Sequence, residues 1–508
     1  MDVIHPLIQG FGVALQPLNL AFAFIGVLVG TTVGMLPGIG PINAIAILIP
    51  ITFAAGIRPE SALILLAGIY YGSQYGNSIS TILLNVPGTA SSVVTALDGY
   101  EMTKQGRAGP ALAMSAIASF FGGTASIFGL VFFAPLLASW AIRFGPAEYF
   151  ALMVFAFAAL SSLAGNQLAK GLIATALGLL LGTVGLDPQS AIPRFTFGQI
   201  RLFDGMDFVV VTIGLFAVSE VIGVLEDTQK GQVVAGSVGR VMASMKETVS
   251  SLWTMVRSSI IGFLVGVLPG AGGTIASFVA YASEKQVLGS KGFFGKGDIR
   301  GVAAPEAANN AAATGAMIPL LTLGVPGSGT TAVMLGALLG MNVTPGPLLI
   351  ERRPELFWGL VASMYIGNII LLILNLPLVG LFIRVLRLPR WFLMPGVAAL
   401  SFVAVYAVNA SAFDLLLVTG FGLLGWVLRK LDVPLAPIIL GVVLGPLMEK
   451  NLRRAMALSA GDWTILFSSP IAITLYGLAL LSLLAPLLAA RLRARPSLAE
   501  ISSAGEVD

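Results

Sequence analysis

The stretch Gly34-Met35-Leu36-Pro37-Gly38-Ile39-Gly40-Pro41 decides the architecture, because the chain repeats it as Gly266-Val267-Leu268-Pro269-Gly270-Ala271-Gly272-Gly273. A second stretch, Val86-Pro87-Gly88-Thr89-Ala90-Ser91-Ser92, is echoed by Val325-Pro326-Gly327-Ser328-Gly329-Thr330-Thr331. The first pair lies 232 residues apart and the second 239, which indicates one internal duplication. All four stretches interrupt apolar sequence. Matched Gly/Pro interruptions in two halves are typical of secondary transporters built from structural repeats, so we expect a protein that moves a solute across a membrane.

Composition supports a membrane protein and argues against several other classes. The chain has 508 residues, of which 56% are hydrophobic and 10% charged, and its mean hydropathy is +0.93. Soluble domains carry roughly a quarter charged residues. The chain has no cysteine, and its one histidine is His5, which excludes thiolate catalysis, a Ser-His-Asp triad and most zinc sites. We therefore expect no enzyme activity, no nucleic-acid partner and no cofactor, with Na⁺ considered only as a coupling ion.

Apolar segments recur along the whole chain, where about 20 residues are needed to cross the hydrocarbon core. The candidate segments are 18–36, 42–57, 60–84, 109–142, 147–165, 168–186, 206–225, 251–268, 274–284, 302–324, 330–343, 356–385, 392–409, 412–429, 434–448 and 466–490. The N-terminus lacks the basic start and cleavage site of a signal peptide, so segment 18–36 is expected to remain as an anchor.

The segments and repeats predict an all-α polytopic membrane protein with two structural repeats. We assign 1–230 to the N-terminal repeat, 231–250 to a polar or interfacial linker, 251–495 to the C-terminal repeat and 496–508 to a flexible polar tail. Inverted repeats are preferred, with parallel repeats as the alternative. Segment 274–284 is too short to cross the membrane by itself. Residues 251–284 are therefore predicted to form a re-entrant hairpin that turns at Pro269-Gly270, and a single broken span is the alternative.

The Pro-Gly stretches carry the chemistry expected of a substrate site. Proline and glycine end one helix, and the Ser/Thr run suits the start of the next. A helix N-terminus offers unpaired N–H groups and a positive dipole end, which suits a carboxylate. Close helix packing at the glycines is the structural alternative. The predicted substrate-binding residues in these stretches are Pro87, Gly88, Thr89, Ser91, Pro326, Gly327, Ser328, Gly329 and Thr330.

Polar residues inside apolar segments extend this prediction. Asn309 and Asn310 follow Pro305 and Glu306, and Asn77 and Ser78 stand at an equally polar place in the first half. Buried amides need a partner, a ligand or an ion, so all four are placed on the solute path, with helix-to-helix bonding as the alternative. Pro305 fits a first helical turn, with Glu306 near that N-terminus.

Other polar residues are assigned to ion-binding sites, hairpin tips or loops. The carbonyls freed at the helix breaks suit Na⁺. The ion-binding or hairpin-tip set is Pro37, Gly38, Gly40, Pro269, Gly270, Gly272 and Glu306. Asp98 and Glu101 stand beside Lys104 and Arg107, and we interpret them as a solvated ion-pair cluster in a loop.

These residues resemble the TctA family, the large permease subunit of the tripartite tricarboxylate transporters. The resemblance covers nearly the whole chain and rests on six stretches: Gly34 to Pro41, Tyr71 to Ser80, Asn85 to Thr89, Gly266 to Gly272, Ala304 to Asn310 and Leu323 to Gly329. It implies a multi-pass subunit of the bacterial inner membrane. The implied partners are a small transmembrane subunit of the TctB type and a periplasmic solute-binding protein of the TctC type. The implied substrates are carboxylates such as citrate, taken up with an ion gradient.

Four other functions compete with secondary transport. A passive anion channel would show a continuous polar stripe, whereas polar residues here cluster at four breaks. A membrane-embedded enzyme lacks the usual catalytic residues, and a purely structural subunit leaves the matched breaks unexplained. An ATP-driven importer would need a separate ATPase, because the chain has no Gly-x-x-x-x-Gly-Lys-[Ser/Thr] loop. We expect access to alternate by an elevator-like or rocking movement.

Overall fold

The computed structural model describes residues 3–36, 40–162, 167–187, 189–226, 240–270, 272–385 and 390–493. Helices dominate, because lipid offers no water to satisfy backbone groups and a helix satisfies them within one segment. The helices are α1 (Ile4–Ala14), α2 (Pro17–Met35), α3 (Gly40–Ala54), α4 (Pro59–Leu84), α5 (Val93–Lys104), α6 (Ala108–Ala141), α7 (Pro146–Ser162), α8 (Leu168–Gly182), α9 (Phe208–Thr212), α10 (Ser219–Glu226), α11 (Met245–Ser250), α12 (Leu252–Val267), α13 (Gly272–Leu288), α14 (Ile299–Gly315), α15 (Met317–Leu323), α16 (Gly329–Gly340), α17 (Leu349–Arg352), α18 (Pro354–Asn375), α19 (Val379–Val385), α20 (Arg390–Asn409), α21 (Ala412–Lys430), α22 (Ala436–Leu458) and α23 (Pro470–Arg493).

Shorter elements complete the secondary structure. A π-helical segment, Ile213–Val218, joins α9 to α10, and 3₁₀ turns occupy Ala90–Ser92, Ile200–Leu202, Gly289–Lys291 and Trp463–Phe467. Strands β1 (Gly185–Leu186) and β2 (Pro193–Arg194) pair antiparallel. Within the described ranges, five helical segments are long and apolar enough to cross a membrane: Pro17–Met35, Ala108–Ala141, Phe208–Glu226, Pro354–Asn375 and Ala412–Lys430. The predicted all-α membrane fold is confirmed at this level.

All four Pro-Gly stretches fall between helices, as predicted. They separate α2 from α3, α4 from α5, α12 from α13 and α15 from α16. The backbone conformations at these breaks also match. Gly40 and Gly272 have φ of 61° and 59°, and Asn85 and Gly324, at the ends of α4 and α15, have φ of 56° and 69°. At Asn85 and Gly324 this left-handed conformation ends the helix, whereas Gly40 and Gly272 are the first residues of α3 and α13. Pro37 and Gly38 lie outside the described residues.

Glycines bring matched helix pairs into close contact. A Cβ on Gly34 of α2 would lie 2.5 Å from Ser73 Cα of α4, and one on Gly266 of α12 would lie 2.6 Å from Ala312 Cα of α14. Gly30 meets Ile69, and Gly262 meets Ala308, in the same way. Backbones can approach this closely only where the side chain is absent.

Helices α12 and α13 form an antiparallel hairpin around the break at Pro269-Gly270. Arg257, near the start of α12, binds both carboxylate oxygens of Glu284, near the end of α13, at 2.6 and 2.8 Å. Both arms pack on Ala308 and Ala312 of α14. The predicted hairpin geometry is therefore observed, and the return to one membrane side stays a prediction.

Two local predictions are wrong. Pro305 is not in a first turn, because Asp298 caps α14 through the Arg300 N–H and the helix begins at Ile299. Glu306 therefore lies inside the helix and not at a tip. Asp98 is not a solvated loop residue: it lies in α5 and is fully buried. The ion pair expected for Glu101 is observed, since it pairs with Lys104 at 2.5 Å and is partly exposed, but both residues lie in α5 and not in a loop.

The chain forms two compact units, 1–143 with 204–430 and 144–203 with 431–508. In the second unit, α7 packs against α8, α22 and α23. Its polar loop is held by Asp187, which accepts from the backbone N–H groups of Gln189 and Ser190 and from Arg453. The predicted repeat boundaries concern sequence symmetry and stay a prediction; residues 227–239 of the linker region and the tail 496–508 lie outside the described residues.

Candidate functional site

The second Pro-Gly stretch is attached directly to the tip of the α12–α13 hairpin. Gly270 N–H donates to the Gly327 carbonyl at 3.1 Å. The next residue, Ser328, caps α16 in a reciprocal box: its backbone N–H donates to Thr331 Oγ1 at 2.8 Å, and Thr331 N–H donates to Ser328 Oγ at 3.3 Å. Gly272 also lies beside Ser328, because a Cβ on this glycine would be 4.0 Å from Ser328 Cβ. The structure therefore brings the hairpin tip at Pro269-Gly270 against the second Pro-Gly stretch, and a meeting of the first and second Pro-Gly stretches in one site stays a prediction.

The first Pro-Gly stretch is held by a buried asparagine of α4. Asn77 Nδ2 donates to Thr89 Oγ1 at 2.8 Å, and Thr89 Oγ1 lies 2.9 Å from Ser91 Oγ. Thr89 makes no helix cap here, so the expected capping role holds for Ser328 and is wrong for Thr89. Asn77 is fully buried, yet its Oδ1 has no partner among the described residues. A buried acceptor left unpaired is destabilising, and this Oδ1 can accept a further hydrogen bond.

One face of α4 carries the contacts to both stretches. Tyr70 Oη lies 3.4 Å from Ser328 Oγ, and Asn77 reaches Thr89. These two α4 residues are seven positions apart, which is two helical turns or about 10 Å. Helix α4 therefore fixes the spacing between the two groups of hydroxyls.

The two asparagines of α14 are buried and incompletely bonded. Asn310 Nδ2 donates to the Glu306 carbonyl at 3.1 Å. Asn310 Oδ1 and Asn309 Nδ2 have no hydrogen-bond partner in the described part of the chain. Asn309 Oδ1 faces the hairpin, where a Cβ on Gly273 would overlap it. Both amides therefore retain hydrogen-bonding capacity in the interior.

Glu306 forms a separate polar cluster with hydroxyl groups. Thr95 Oγ1 donates to Oε1 at 2.6 Å, and Ser119 Oγ donates to Oε2 at 3.2 Å. Ser78 and Ser115 stand beside this carboxyl group, and their own hydroxyls lie 2.7 Å apart. Ser78 thus belongs to the Glu306 cluster and not to the tips.

Five predicted substrate residues form the second Pro-Gly stretch, called the second tip below: Pro326, Gly327, Ser328, Gly329 and Thr330. Gly270 and Gly272 of the α12–α13 hairpin lie beside this tip. Thr89 and Ser91 meet Asn77 at the first tip, with Gly88 packed against the backbone of Gly34 and Asn77. Among these residues Ser328 and Gly329 are half-buried, whereas Thr330 is buried. Their roles in binding stay predictions.

Sequence reasoning missed several hydroxyls and misplaced two carboxylates, Glu306 and Asp98. Ser115 and Ser119 are spaced four apart in the apolar helix α6, and this helical spacing is the signal that could have found them. Thr95 and Asp98 are three apart in α5. Asp98 accepts from Tyr281 Oη at 2.8 Å and from the N–H groups of Gly295, Gly297 and Asp298. Those partners are distant in sequence, so no local pattern indicates them.

Comparison with known proteins identifies the relatives of this chain. The family model described as "Tripartite tricarboxylate transporter TctA family" matches residues 20–440. An Agrobacterium vitis protein described as the uncharacterized 52.8 kDa protein in the TAR-I ttuC′ 3′ region is 46% identical over 480 residues, which cover 94% of this chain and 95% of that protein. A protein of the TAR-II ttuC′ 3′ region of the same organism is 47% identical over 227 residues, covering 45% of this chain and 94% of the relative. No solved structure matches.

Proposed function

Because the chain belongs to the tripartite tricarboxylate transporter TctA family, we propose that it is the large membrane subunit of a binding-protein-dependent secondary transporter that imports carboxylates. The coupling ion is Na⁺ or H⁺, and citrate and related organic acids are the first substrates to test. Membership of this family makes the chain a subunit of a tricarboxylate transporter; the import direction, the substrate range and the ion coupling are the proposal.

The single observation that carries the proposal is the unpaired Oδ1 of buried Asn77, placed where its Nδ2 holds the tip at Thr89. The interior of a folded protein rarely leaves such an atom unpaired. The hydroxyls of Thr89, Ser91 and Ser328 stand near the same face of α4. These hydroxyls can donate to an oxyanion without a buried arginine, and the Asn77 Oδ1, which can only accept, suits a coupling cation or a protonated group.

Two structural repeats are part of the proposal. The support comes from the matched breaks, the matched left-handed residues and the matched glycine contacts. Gly34 and Ser73 have counterparts in Gly266 and Ala312 at the same offsets, 232 and 239, that relate the Pro-Gly stretches. Inverted repeats meeting at a central site would let one repeat move against the other while the site itself stays assembled.

The proposed partners are a small membrane subunit of the TctB type and a periplasmic binding protein of the TctC type, in a bacterial inner membrane. Their support is the family name, which describes a tripartite system. Substrate choice is then assigned largely to the binding protein, which delivers the carboxylate to the two tips.

The decisive experiment is uptake of labelled citrate, and of a panel of di- and tricarboxylates, into proteoliposomes that hold this chain with both partners. Inward Na⁺ and H⁺ gradients are imposed separately, and one arm omits the binding protein. Accumulation that requires a gradient and the binding protein supports the proposal. Equilibration that ignores both gradients would indicate a passive pore and overturn it.

The proposed movement has its own test. Paired cysteines, introduced into the naturally cysteine-free chain at the two tips and at facing positions on neighbouring helices, are cross-linked before uptake is measured. Cross-links should abolish uptake, and reduction should restore it. Full uptake with the cross-links in place would contradict an elevator-like or rocking mechanism.

A further inference from the structure

Glu306 is a fully buried carboxyl group surrounded by hydroxyls. Its two oxygens are bonded by Thr95 at 2.6 Å and Ser119 at 3.2 Å, with Ser78 and Ser115 beside them. These hydroxyls come from α4, α5 and α6, so three helices converge on one carboxyl of a fourth. Such convergence around a single ionisable side chain is a feature that helix packing does not require.

Several ionisable groups on α14 and on the helices packed against it are engaged with other partners. Arg257 of α12 is held by Glu284 of α13, and Arg300 of α14 by Asp298. Asp98 of α5 accepts from Tyr281 of α13, and Tyr75 of α4 donates to Asn368. Helix α6 contains no ionisable residue. In the described ranges no lysine or arginine forms an ion pair with Glu306.

A buried carboxylate without a counter-charge is strongly disfavoured, so it is neutralised by a bound cation or a proton. The geometry favours the proton. Thr95 Oγ1 and Glu306 Oε1 are 2.6 Å apart, and Ser78 Oγ and Ser115 Oγ are 2.7 Å apart, which are direct O–H···O distances. A Na⁺ ion placed between the oxygens of either pair would have to push them apart, whereas a proton fits there without any movement.

The hydroxyl partners also suit a group that changes its protonation state. A hydroxyl donates one hydrogen bond and accepts others by rotation. The cluster can therefore donate to a carboxylate and accept from a carboxylic acid with the same heavy-atom positions. Backbone N–H donors, as found at Asp98, would bind the ionised form alone.

Glu306 is also linked mechanically to the proposed substrate tips. Ser277 of α13 donates to the Pro305 carbonyl at 3.2 Å. The tip of that same hairpin holds Gly327 through the Gly270 N–H. A change of charge at Glu306 therefore acts next to the hairpin that positions the second tip.

We propose that Glu306 is the group that takes up and releases the coupling proton during transport. The proton binds from water on one side, forms the O–H of the carboxylic acid, and leaves to water on the other side when the carboxylate forms again. This assignment rests on the proposed function and deepens it by naming the coupling ion as H⁺ and the residue that carries it.

The test compares wild type, Glu306→Gln, Glu306→Asp and the matched control Glu101→Gln, reconstituted with both partner subunits. Glutamine mimics the protonated acid, and aspartate can still ionise. Two activities are measured: accumulation of labelled citrate under an inward H⁺ gradient, and exchange of labelled for unlabelled citrate without any gradient. Monodispersity in detergent and thermal unfolding report on folding of each variant.

We expect Glu306→Gln to lose gradient-driven accumulation and to retain exchange, while Glu306→Asp retains part of the accumulation and Glu101→Gln retains all of it. Accumulation by Glu306→Gln at the wild-type level overturns the assignment, as does wild-type uptake that responds to Na⁺ and ignores H⁺. The assignment is also contradicted if Glu306→Gln and Glu306→Asp are both folded and both lack accumulation as well as exchange. If wild type accumulates nothing from the panel, the proposed function fails, and the assignment fails with it.

Discussion

The hydroxyl of Tyr70 lies 3.4 Å from the hydroxyl oxygen of Ser328, although 258 residues separate them in the chain. The next residue of α4, Tyr71, makes a similar long-range contact: its hydroxyl donates to Thr314 Oγ1 at 3.1 Å. The two predicted halves are therefore joined through side chains of α4. The second Pro-Gly stretch is positioned by the hairpin of its own half and by a tyrosine of the other.

Removing the hydroxyls of the second tip should weaken transport more than folding. Ser328→Ala loses a helix cap, which is worth about 1 kcal/mol, and Thr330→Ala changes a buried residue at the start of α16. We expect a reduced citrate uptake rate in both variants with at most this small loss of unfolding free energy. The control is Ser363→Ala, whose hydroxyl only bonds the Leu360 carbonyl of its own helix. Wild-type uptake kinetics in both tip variants would remove these residues from the site.

Asn77→Ala should impair transport through the first tip. The change frees Thr89 Oγ1 from its donor and removes the unpaired Oδ1. Asn375→Ala is the matched control, because Asn375 is equally buried, also has an unpaired Oδ1 and bonds only its own helix at Leu371. Uptake should fall in Asn77→Ala and not in Asn375→Ala. Equal effects on uptake in the two variants would mean that Asn77 serves packing alone.

Asp98→Ala should destabilise the fold strongly. The change leaves three backbone N–H groups and the Tyr281 hydroxyl without their acceptor, and each unsatisfied buried group is worth about 1–3 kcal/mol. Glu101→Ala, in the same helix, removes only a partly exposed ion pair worth about 0–1 kcal/mol. Unfolding in detergent, followed by tryptophan fluorescence, measures both variants. Similar unfolding free energies would contradict the structural role assigned to Asp98.

Gly266→Ala should destabilise the α12–α14 contact. Its Cβ would lie 2.6 Å from Ala312 Cα, and relieving such overpacking typically requires about 1–3 kcal/mol. Gly420→Ala is the control, because no atom lies within 4 Å of a Cβ at that position in α21. Thermal unfolding should show a loss for Gly266→Ala and no loss for Gly420→Ala. A fully tolerated Gly266→Ala would show that the two helices are free to separate.

The polar loop after α8 should lose stability in acid. The backbone N–H groups of Ser190 and Gln189, followed by the Arg453 guanidinium, hold the pKa of Asp187 well below its ordinary value. A lowered pKa stabilises the folded state above the unfolded pKa of about 4, and the contribution is lost as the pH falls below it. The difference in unfolding temperature between wild type and Asp187→Asn should therefore be largest near neutral pH and shrink below about pH 4. A difference independent of pH would show that Asp187 acts without its charge.

The fold class was predictable from particular residues of the sequence. Most apolar segments predicted the helices to within a few residues, since lipid allows little other than helix for such stretches. Segment 434–448 stops well short of the end of α22 at Leu458, and segments 302–324 and 356–385 each hold two helices. Proline and left-handed glycine stop helices locally, so the breaks at Pro269-Gly270 and Pro326-Gly327 were predictable without tertiary information. The short helix α5 was missed, because its charged residues were interpreted as a loop, and α1 (Ile4–Ala14) was missed as well.

The sequence by itself determined where the helices break and which glycines and hydroxyls stand at the breaks, because these are local consequences of backbone sterics. Only the tertiary structure decided the partners of those residues. Glu306 meets Thr95 and Ser119, Asp98 meets Tyr281, and Tyr70 meets Ser328, each across at least 180 positions. Contacts of this kind arise when helices distant in sequence pack together, and helix packing depends on the complementary surfaces of both helices, which neither segment specifies alone.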